Sequence, residues 1–487
     1  MAKNKVLLLV LIFPLKLIHY NEGIRKIIFF GLGSHVALRF FLNKKDKKIL
    51  KTLNPPRYLA LGFLVFIFIG TLLLSLPLCW NEGYRVSFID ALFTATSAVC
   101  ISGLMVVDPG NTFNIYGQLV ILFLIQLGGL GFMTAGVLVA MLVGRKISLR
   151  HKLILQESLN QFSMQDLISV ASRVALTAFV IELLGSIVLG IVWFKYFGLR
   201  SLYLGIFHAV SAFNNAGITL FGNFRSLSPF TEMPVILFTF MALIVLGGIG
   251  FTVIWDLLLY FKNRKLLLHS KVVVAVTTIL LLMGTVAALL LEGFNEATLG
   301  SLSWGDKIIN AMFFSVTSRT AGFSTLNVGS FSDAFLFFLI ILMFIGASPG
   351  STGGGVKTTT AAVLLAAVWS DIKGQKDAVI FKRSIPPEKV ARAMVIVFVT
   401  LFLILFCTII LCMTERASFL EILFEVVSAF GTTGLSTGLT PKLSLLGKIV
   451  IIFSMFVGRL GPLSLAFALR KRGKNLYEYP KGFINLG

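Results

Sequence analysis

This 487-residue chain has little charge: Asp, Glu, Lys and Arg make up 13% of it, hydrophobic residues 57%, and the mean hydropathy is +0.92. No soluble fold can hide that much apolar surface, so the composition predicts a polytopic membrane protein whose solvent is lipid. Acid is scarcer than base, with 21 Asp and Glu against 43 Lys and Arg. The resulting +22 does not point to nucleic acid, because the basic residues fall in short clusters between apolar runs. Cysteine is rare too. Cys79, Cys100, Cys407 and Cys412 lie in or beside apolar segments, and Cys407 and Cys412 would face different sides of a helix, so neither a disulfide framework nor a Cys/His metal site is indicated. No convergent nucleophile and base is visible, which argues against an enzyme.

The glycine-rich stretches also lack what familiar nucleotide sites need. In GASPGSTGGGVKTTT (346–360), Val356 separates the last glycine from Lys357, and no strand precedes the run as a phosphate loop requires. LGGLGF (127–132) and LGGIGF (246–251) have no βαβ unit around them; close helix packing explains their glycines better.

What the chain does have is a repeat. FIDALFTATSAVCISGL (88–104), LGIFHAVSAFNNAGI (204–218), IINAMFFSVTSRTAGF (308–323) and FLEILFEVVSAFGTTGL (419–435) share one form. Each is an amphipathic run, a Ser/Thr-Ala-like corner, and a few small or polar residues closing on Gly103, Gly217, Gly322 or Gly434. These glycines recur at separations of 114, 105 and 112 residues. A long apolar run precedes each segment (58–79, 171–194, 271–291, 391–413) and another follows it (117–143, 234–261, 334–369, 445–468). A crossing needs about 20 apolar residues, so the long runs can span and the middle segments cannot.

Loop charge separates two topologies. Basic residues gather before the first unit (Lys44, Lys45, Lys47, Lys48, Lys51, Arg57) and at every later join: Arg145, Lys146, Arg150 and Lys152, then Lys262, Arg264, Lys265 and Lys271, then Lys373 to Arg392. Three crossings per repeat would make the joins alternate sides and charge; they do not alternate, so each middle segment dips in and returns. The expected fold is all-α: four tandem helix–pore-loop–helix repeats, with eight transmembrane helices and four re-entrant pore helices in a pseudo-fourfold pore.

A non-helical return leg at membrane depth survives only in protein or beside a wet cavity. Four such legs about one axis would present rings of carbonyl oxygens able to replace the hydration shell of an alkali cation. The partially negative C-terminal ends of the pore helices would favour the cation.

FHAVSAFNNAG, RTAGF, SAFGTTGL, LIQLGGLGFMT, GGIGFTV, MFIGASPGSTGGGVK and FVGRLGPL, in that order, resemble the markers of the Ktr/Trk/HKT superfamily of potassium transporters. The likeness is greatest to the membrane subunits of bacterial Ktr systems, and it spans residues 54 to 480 or so. It implies a homodimer of single-chain pores. It assigns a potassium filter to Cys100, Ile101, Ser102 and Gly103, to Asn214, Asn215, Ala216 and Gly217, to Thr320, Ala321 and Gly322, and to Thr432, Thr433 and Gly434. In the first of these, Cys100 stands where the family usually has a hydroxyl residue. Glycine rather than serine at 103 favours potassium by the same resemblance.

The glycine-rich run acquires a role in the same way. In the family a loop interrupting the second helix of the third repeat obstructs the pore as its gate. The matching residues are Gly346, Ala347, Ser348, Pro349, Gly350, Ser351, Thr352, Gly353, Gly354 and Gly355, with Lys357 and Arg459 as charges that bar or pin it. Snorkelling to the interface competes with that role for Lys357. Arg319 is expected to point away from the filter and pair with Glu425 or Glu292, His208 to pack, and Glu182 to make a buried hydrogen bond or serve a coupling ion.

The resulting expectation is potassium-selective uptake, passive, gated from the cytoplasm, with no cofactor in the chain, K+ as cargo at the filter and Na+ as a candidate activator. A sodium- or proton-coupled carrier with alternating access is the alternative, although its inverted repeats are not what these parallel repeats show. The resemblance supplies the partners: a second copy, a cytosolic ATP- or ADP-binding regulatory ring, and the bilayer of the cell membrane, with both termini cytoplasmic. The chain divides into a basic interfacial segment (1–53), repeats at 54–146, 147–265, 266–375 and 376–470, and a tail (471–487).

Overall fold

The computed structural model describes residues 55–131 and 167–461. The segment 1–53, the basic join at Arg145, Lys146, Arg150 and Lys152, and the tail 471–487 lie outside the described residues.

The chain is mostly helical. In order come α1 (Pro55–Leu74), α2 (Phe88–Cys100), α3 (Ile115–Leu130), α4 (Leu167–Phe197), α5 (Arg200–Phe213), α6 (Pro234–Gly248), α7 (Phe251–Asn263) and α8 (Leu268–Glu292). There follow α9 (Trp304–Thr317), α10 (Asp333–Phe344), α11 (Thr358–Ile372), α12 (Pro387–Thr414), α13 (Phe419–Gly431) and α14 (Leu445–Leu460). The short helices start where side chains cap them. Ser87, Ser303 and Ser418 accept from the backbone N–H of Asp90, Asp306 and Glu421, and the last of these closes a full capping box. α5 begins without a side-chain cap.

Three helical stretches, 170–197, 268–292 and 387–414, are long and apolar enough to cross a membrane, and 234–248 with 251–260 makes a fourth if taken as one span bent by 101°. No more than about a third of each long span is buried within the protein. Leu184, Ile191, Leu282 and Phe398, each 60% exposed or more, face outward from them, as lipid-solvated faces do. Among the described residues, Leu59–Leu74, Ile115–Leu130, Asp333–Phe344 and Thr358–Ile372 are shorter apolar helices; the expected crossings 117–143 and 445–468 continue outside the described residues. The run expected over 334–369 divides into α10 and α11, because Gly346–Gly355 cannot continue a helix, and the run expected over 234–261 bends at Gly250, which sits at φ +94°.

One element departs from the all-α expectation. Ala378–Ile380 (β1) and Arg383–Ile385 (β2) pair antiparallel with Ile380 opposite Arg383. Phe381 and Lys382 both take positive φ (48° and 61°), the geometry of a tight two-residue hairpin turn, and the flanking Val379, Ile380 and Ile385 are β-branched.

The packing follows a cycle. Besides the first helix of its own repeat, each short helix packs on one helix of the repeat before it: α5 on α3, α9 on α6, α13 on α10, and α2 on α14. The last repeat therefore closes on the first, and the four short helices converge on one centre.

Candidate functional site

The four short helices end in closely similar backbone patterns. At the corner a backbone N–H of the residue before the glycine donates to a Ser or Thr carbonyl in the last turn: Ser102 to Ser97 (2.9 Å), Ala216 to Ser211 (2.8 Å), Ala321 to Thr317 (3.0 Å, with Gly322 sharing that carbonyl at 3.3 Å) and Thr433 to Ser428 (2.8 Å). Next to that corner Ile101, Asn215, Thr320 and Thr432 are left-handed, with φ of 56°, 56°, 71° and 51°. Two residues on, Gly103, Gly217, Gly322 and Gly434 are positive again at 75°, 67°, 79° and 92°, while Ser102, Ala216, Ala321 and Thr433 between them are not. Alternating the sign of φ along three residues turns successive carbonyls toward one side. Left-handed backbone costs an L-residue about 1–2 kcal/mol, so such conformations persist only where their surroundings enforce them.

The glycines close a ring. A methyl group built on Gly103 would lie 2.7 Å from the carbonyl oxygen of Ala216 and 3.2 and 3.3 Å from the Cα atoms of Gly434 and Gly217. One on Gly217 would meet Ala321 O at 2.5 Å and Gly322 Cα at 3.1 Å. One on Gly322 would strike Thr433 O, with Gly434 Cα at 2.9 Å, and one on Gly434 would meet Ser102 O at 2.5 Å and Gly103 Cα at 2.9 Å. Each glycine thus faces its neighbours and the carbonyl of the residue before the next glycine. The centre is lined by backbone, and the C-terminal ends of four helices surround it, which makes it favourable for a cation.

Side chains behind the ring staple the returning legs. Ser211 Oγ donates to Ile218 O (2.8 Å) and accepts from Ile218 N (3.1 Å), Thr317 Oγ1 donates to Phe323 O (2.7 Å), and Ser428 Oγ accepts from Gly434 N (3.1 Å). These hydroxyls are the Ser/Thr corners visible in the repeat. Ser102 Oγ donates to Ser97 Oγ at 3.1 Å. Glu425, buried in α13, accepts from the Thr440 hydroxyl (2.6 Å), the Thr437 backbone (3.1 Å) and the Ser436 hydroxyl. His208 does more than pack. Its ring stacks on Phe221 with centroids 4.4 Å apart, Nδ1 bonds Leu204 O (2.8 Å), and Nε2 accepts from Leu220 N (3.2 Å). Replacing His208 by Phe keeps the ring and orphans the Leu220 N–H, which should cost about 1–3 kcal/mol of stability. The measurement is thermal unfolding of the purified protein in detergent, and an unchanged melting temperature would count against the staple.

The segment Ile345–Lys357 lies directly against this ring. Its two ends are bridged at Ile345 and Val356, and Gly346 N donates to Val356 O at 2.9 Å. Ser348 N and Thr352 N donate to Gly248 O (3.0 Å) and Gly247 O (3.1 Å), and Phe251 N donates to Gly350 O (3.0 Å). Thr352 Oγ1 bonds Gly247 O and Phe213 O, the latter at the end of α5. A side chain on Gly353 would strike Thr320, and one on Gly354 would strike Thr432, so glycine is what lets the segment press on the ring. The hydroxyls of Thr432 and Thr433 are buried without a protein partner.

Two basic side chains hold the segment. Lys357 does not reach away to an interface as snorkelling would require; Nζ turns back onto Gly353 O (2.7 Å) and Gly354 O (3.4 Å), the latter also accepting from Ala347 N (3.2 Å). Arg459 donates one guanidinium nitrogen to Thr352 O and the other to Gly128 O. Its position has a history in the repeat. Gly128, Gly247 and Gly458 each press on a carbonyl near the end of a short helix (Val99, Phe213 and Phe430), and Gly131, Gly250 and Gly461 each break their helix at positive φ. In these three stretches, GGLG, GGIG and GRLG, the second position is Gly129, Gly248 and Arg459.

Arg319 makes neither expected pair. The Glu425 oxygens are taken as described, and those of Glu292 accept from Asn295, Thr298 and Ser332. Arg319 is buried beside Ile244, Val245, Gly248, Leu281 and Val316, with Nε unpartnered. Glu182 accepts from Asn214 and Gln126, so it touches the second leg from behind. Among the described residues no three His, Cys, Asp or Glu side chains come together to hold a metal ion.

The TrkH family, described as Cation transport protein, matches residues 28–476. Ktr system potassium uptake protein B of Bacillus subtilis (strain 168) is 41% identical over 446 residues, covering 91% of this chain and 99% of the relative. Potassium/sodium uptake protein NtpJ of Enterococcus hirae is 40% identical over 449 residues, covering 91% and 99%. The crystal structure of the potassium transporter TrkH from Vibrio parahaemolyticus superposes with a TM-score of 0.66 at 19% identity, over 84% of each chain, a likeness of fold.

Proposed function

We infer that this chain, which belongs to the TrkH family of cation transport proteins, takes up potassium across the cell membrane. Residues 100–103, 214–217, 320–322 and 432–434 act as four filter legs of one pseudo-fourfold pore, and potassium passes through it down its electrochemical gradient. The observation that carries this reading is the closed ring of Gly103, Gly217, Gly322 and Gly434, each backed by the carbonyl of its neighbour. Carbonyl dipoles in that arrangement replace hydration water around a monovalent cation, and no titrating side chain is required at the ring.

The segment Gly346–Gly355, held by Lys357 and Arg459 against Thr320 and Thr432, serves as the gate. An unwound segment of small residues, fixed by a handful of hydrogen bonds, can leave the pathway without moving a packed helix. Control of that gate by a cytosolic nucleotide-binding ring, pairing of two copies, and a sodium requirement complete the proposal. The Enterococcus hirae relative is a potassium/sodium uptake protein, which makes sodium the second ion to test.

Flux into vesicles containing the purified chain tests the reading. The expected result is saturable potassium or rubidium influx down its gradient, poorly inhibited by external sodium. Equal transport of sodium and potassium would overturn potassium selectivity. Accumulation against the potassium gradient, driven by a sodium or proton gradient, would favour the coupled carrier instead.

A further inference from the structure

Glu182 is an acidic side chain in the middle of α4, on a helix whose neighbouring positions Val180, Leu183 and Leu184 are exposed and apolar. Glu182 itself is only 5% exposed. An acidic group at that depth needs partners or a function, and none of the cations whose partners are described pairs with it: Lys448 joins Asp90, Lys357 the Gly353 carbonyl and Arg459 the Thr352 and Gly128 carbonyls. Its partners are two amides. Oε1 accepts from Asn214 Nδ2 at 2.9 Å and Oε2 from Gln126 Nε2 at 3.1 Å. Asn214 Nδ2 also reaches Gln126 Oε1 (3.0 Å) and Val210 O (2.9 Å).

The location of Asn214 gives this cluster its meaning. It is the C-cap of α5 and immediately precedes Asn215, the left-handed residue that starts the second leg. Its side chain is fully buried, and its Oδ1 faces Gly129 without a donor. Glu182 on α4 and Gln126 on α3 therefore clamp the amide from two helices of different repeats. That clamp fixes where the second leg leaves its helix. The adjoining Asn215 amide, oriented to satisfy every group, donates to Ala212 O and Ile244 O and accepts from the Thr320 hydroxyl at 3.2 Å, which passes the constraint on to the third leg.

We propose that Glu182 is a specificity-determining positioning residue: through Asn214 it holds the second leg at the spacing that distinguishes potassium from sodium. This rests on the reading of residues 214–217 as a filter leg. The corresponding positions of the other legs are Cys100, Arg319 and Gly431, so the side-chain clamp gives the second leg a stiffness of its own.

The test measures the ratio of potassium to sodium influx in vesicles carrying full-length variants, normalised to folded protein. Glu182→Leu should lower the ratio about tenfold, the scale of leaving the buried Asn214 amide without its acceptor. Glu182→Gln, which can still accept from Asn214, should keep the ratio within about threefold of the original. Asn214→Ala should lower the ratio as Glu182→Leu does, and the two together should lower it no further than either alone. If Glu182→Leu does not fold, the Gln and Asn214 variants still decide the matter. A normal ratio in Asn214→Ala or Glu182→Leu overturns the proposal, even if total flux falls, because a merely structural role moves yield and not discrimination. A loss with Glu182→Gln equal to that with Leu also overturns it, by assigning the effect to charge. If the unsubstituted protein itself fails to discriminate, the filter reading fails first and this inference with it.

Discussion

Substituting Gly103 by serine should abolish most of the discrimination against sodium. At φ +75° any side chain carries a backbone strain of about 1–2 kcal/mol. The added Cβ would also stand 2.7 Å from Ala216 O and within 3.3 Å of two other ring glycines. Something must move, and the nearest things are the carbonyls proposed to coordinate the ion. A carbonyl cage displaced by a few tenths of an ångström no longer replaces the hydration of one cation in preference to another. Gly438→Ala supplies the control. It has φ +97° and nothing within 4 Å of a built Cβ, so it adds backbone strain without crowding the ring and should leave the potassium-to-sodium ratio unchanged. The measurement is competition of sodium against rubidium influx for both variants. A Gly103→Ser protein with unaltered selectivity would remove that residue from the pathway.

Excising Gly346–Gly355 should raise potassium influx by about tenfold in vesicles that contain this chain alone, the change expected when a mostly closed population becomes mostly open. The geometry makes the deletion practicable. Ile345 and Val356 already lie side by side as bridge partners, so joining them need not pull α10 from α11. What is lost is the proposed plug with its contacts: the hydrogen bonds to Gly247, Gly248 and Phe213, the contacts on Thr320 and Thr432, and the Thr352 carbonyl that Arg459 holds. A folded deletion protein with reduced influx would make the segment a structural joint between α10 and α11 and not a gate.

Much of this arrangement could be read from the amino-acid order. The four corners and their glycines recur at near-constant spacing, and glycine stands at 103, 217, 322 and 434 because a positive φ there coincides with neighbouring backbone that leaves no room for a Cβ. The Ser/Thr before each corner was visible as a pattern, but its job as a staple was not. Sequence gives no sign that Ser211 will bond residue 218 or that Thr317 will bond 323. Arg319 shows the limit more sharply. A buried arginine suggests an acidic partner, yet Glu292 and Glu425 spend their oxygens on neighbouring hydroxyls and backbone, since local donors a few residues away are reached without stretching a side chain across the protein. His208 carried a signal that went unused: a ring nitrogen on a buried face needs a partner, and the returning backbone supplied one at Leu220. The Phe381–Lys382 hairpin was missed because three-residue strands leave almost no periodicity to detect.

The central claim is that four backbone legs from one chain enclose a potassium path. The most direct test is a crystallographic measurement of anomalous scattering from thallium or rubidium ions soaked into the protein. The account predicts density on the axis of the ring, surrounded by the carbonyls of Ser102, Ala216, Ala321 and Thr433. Ordered ions elsewhere in the membrane region, with none at the ring, would contradict it.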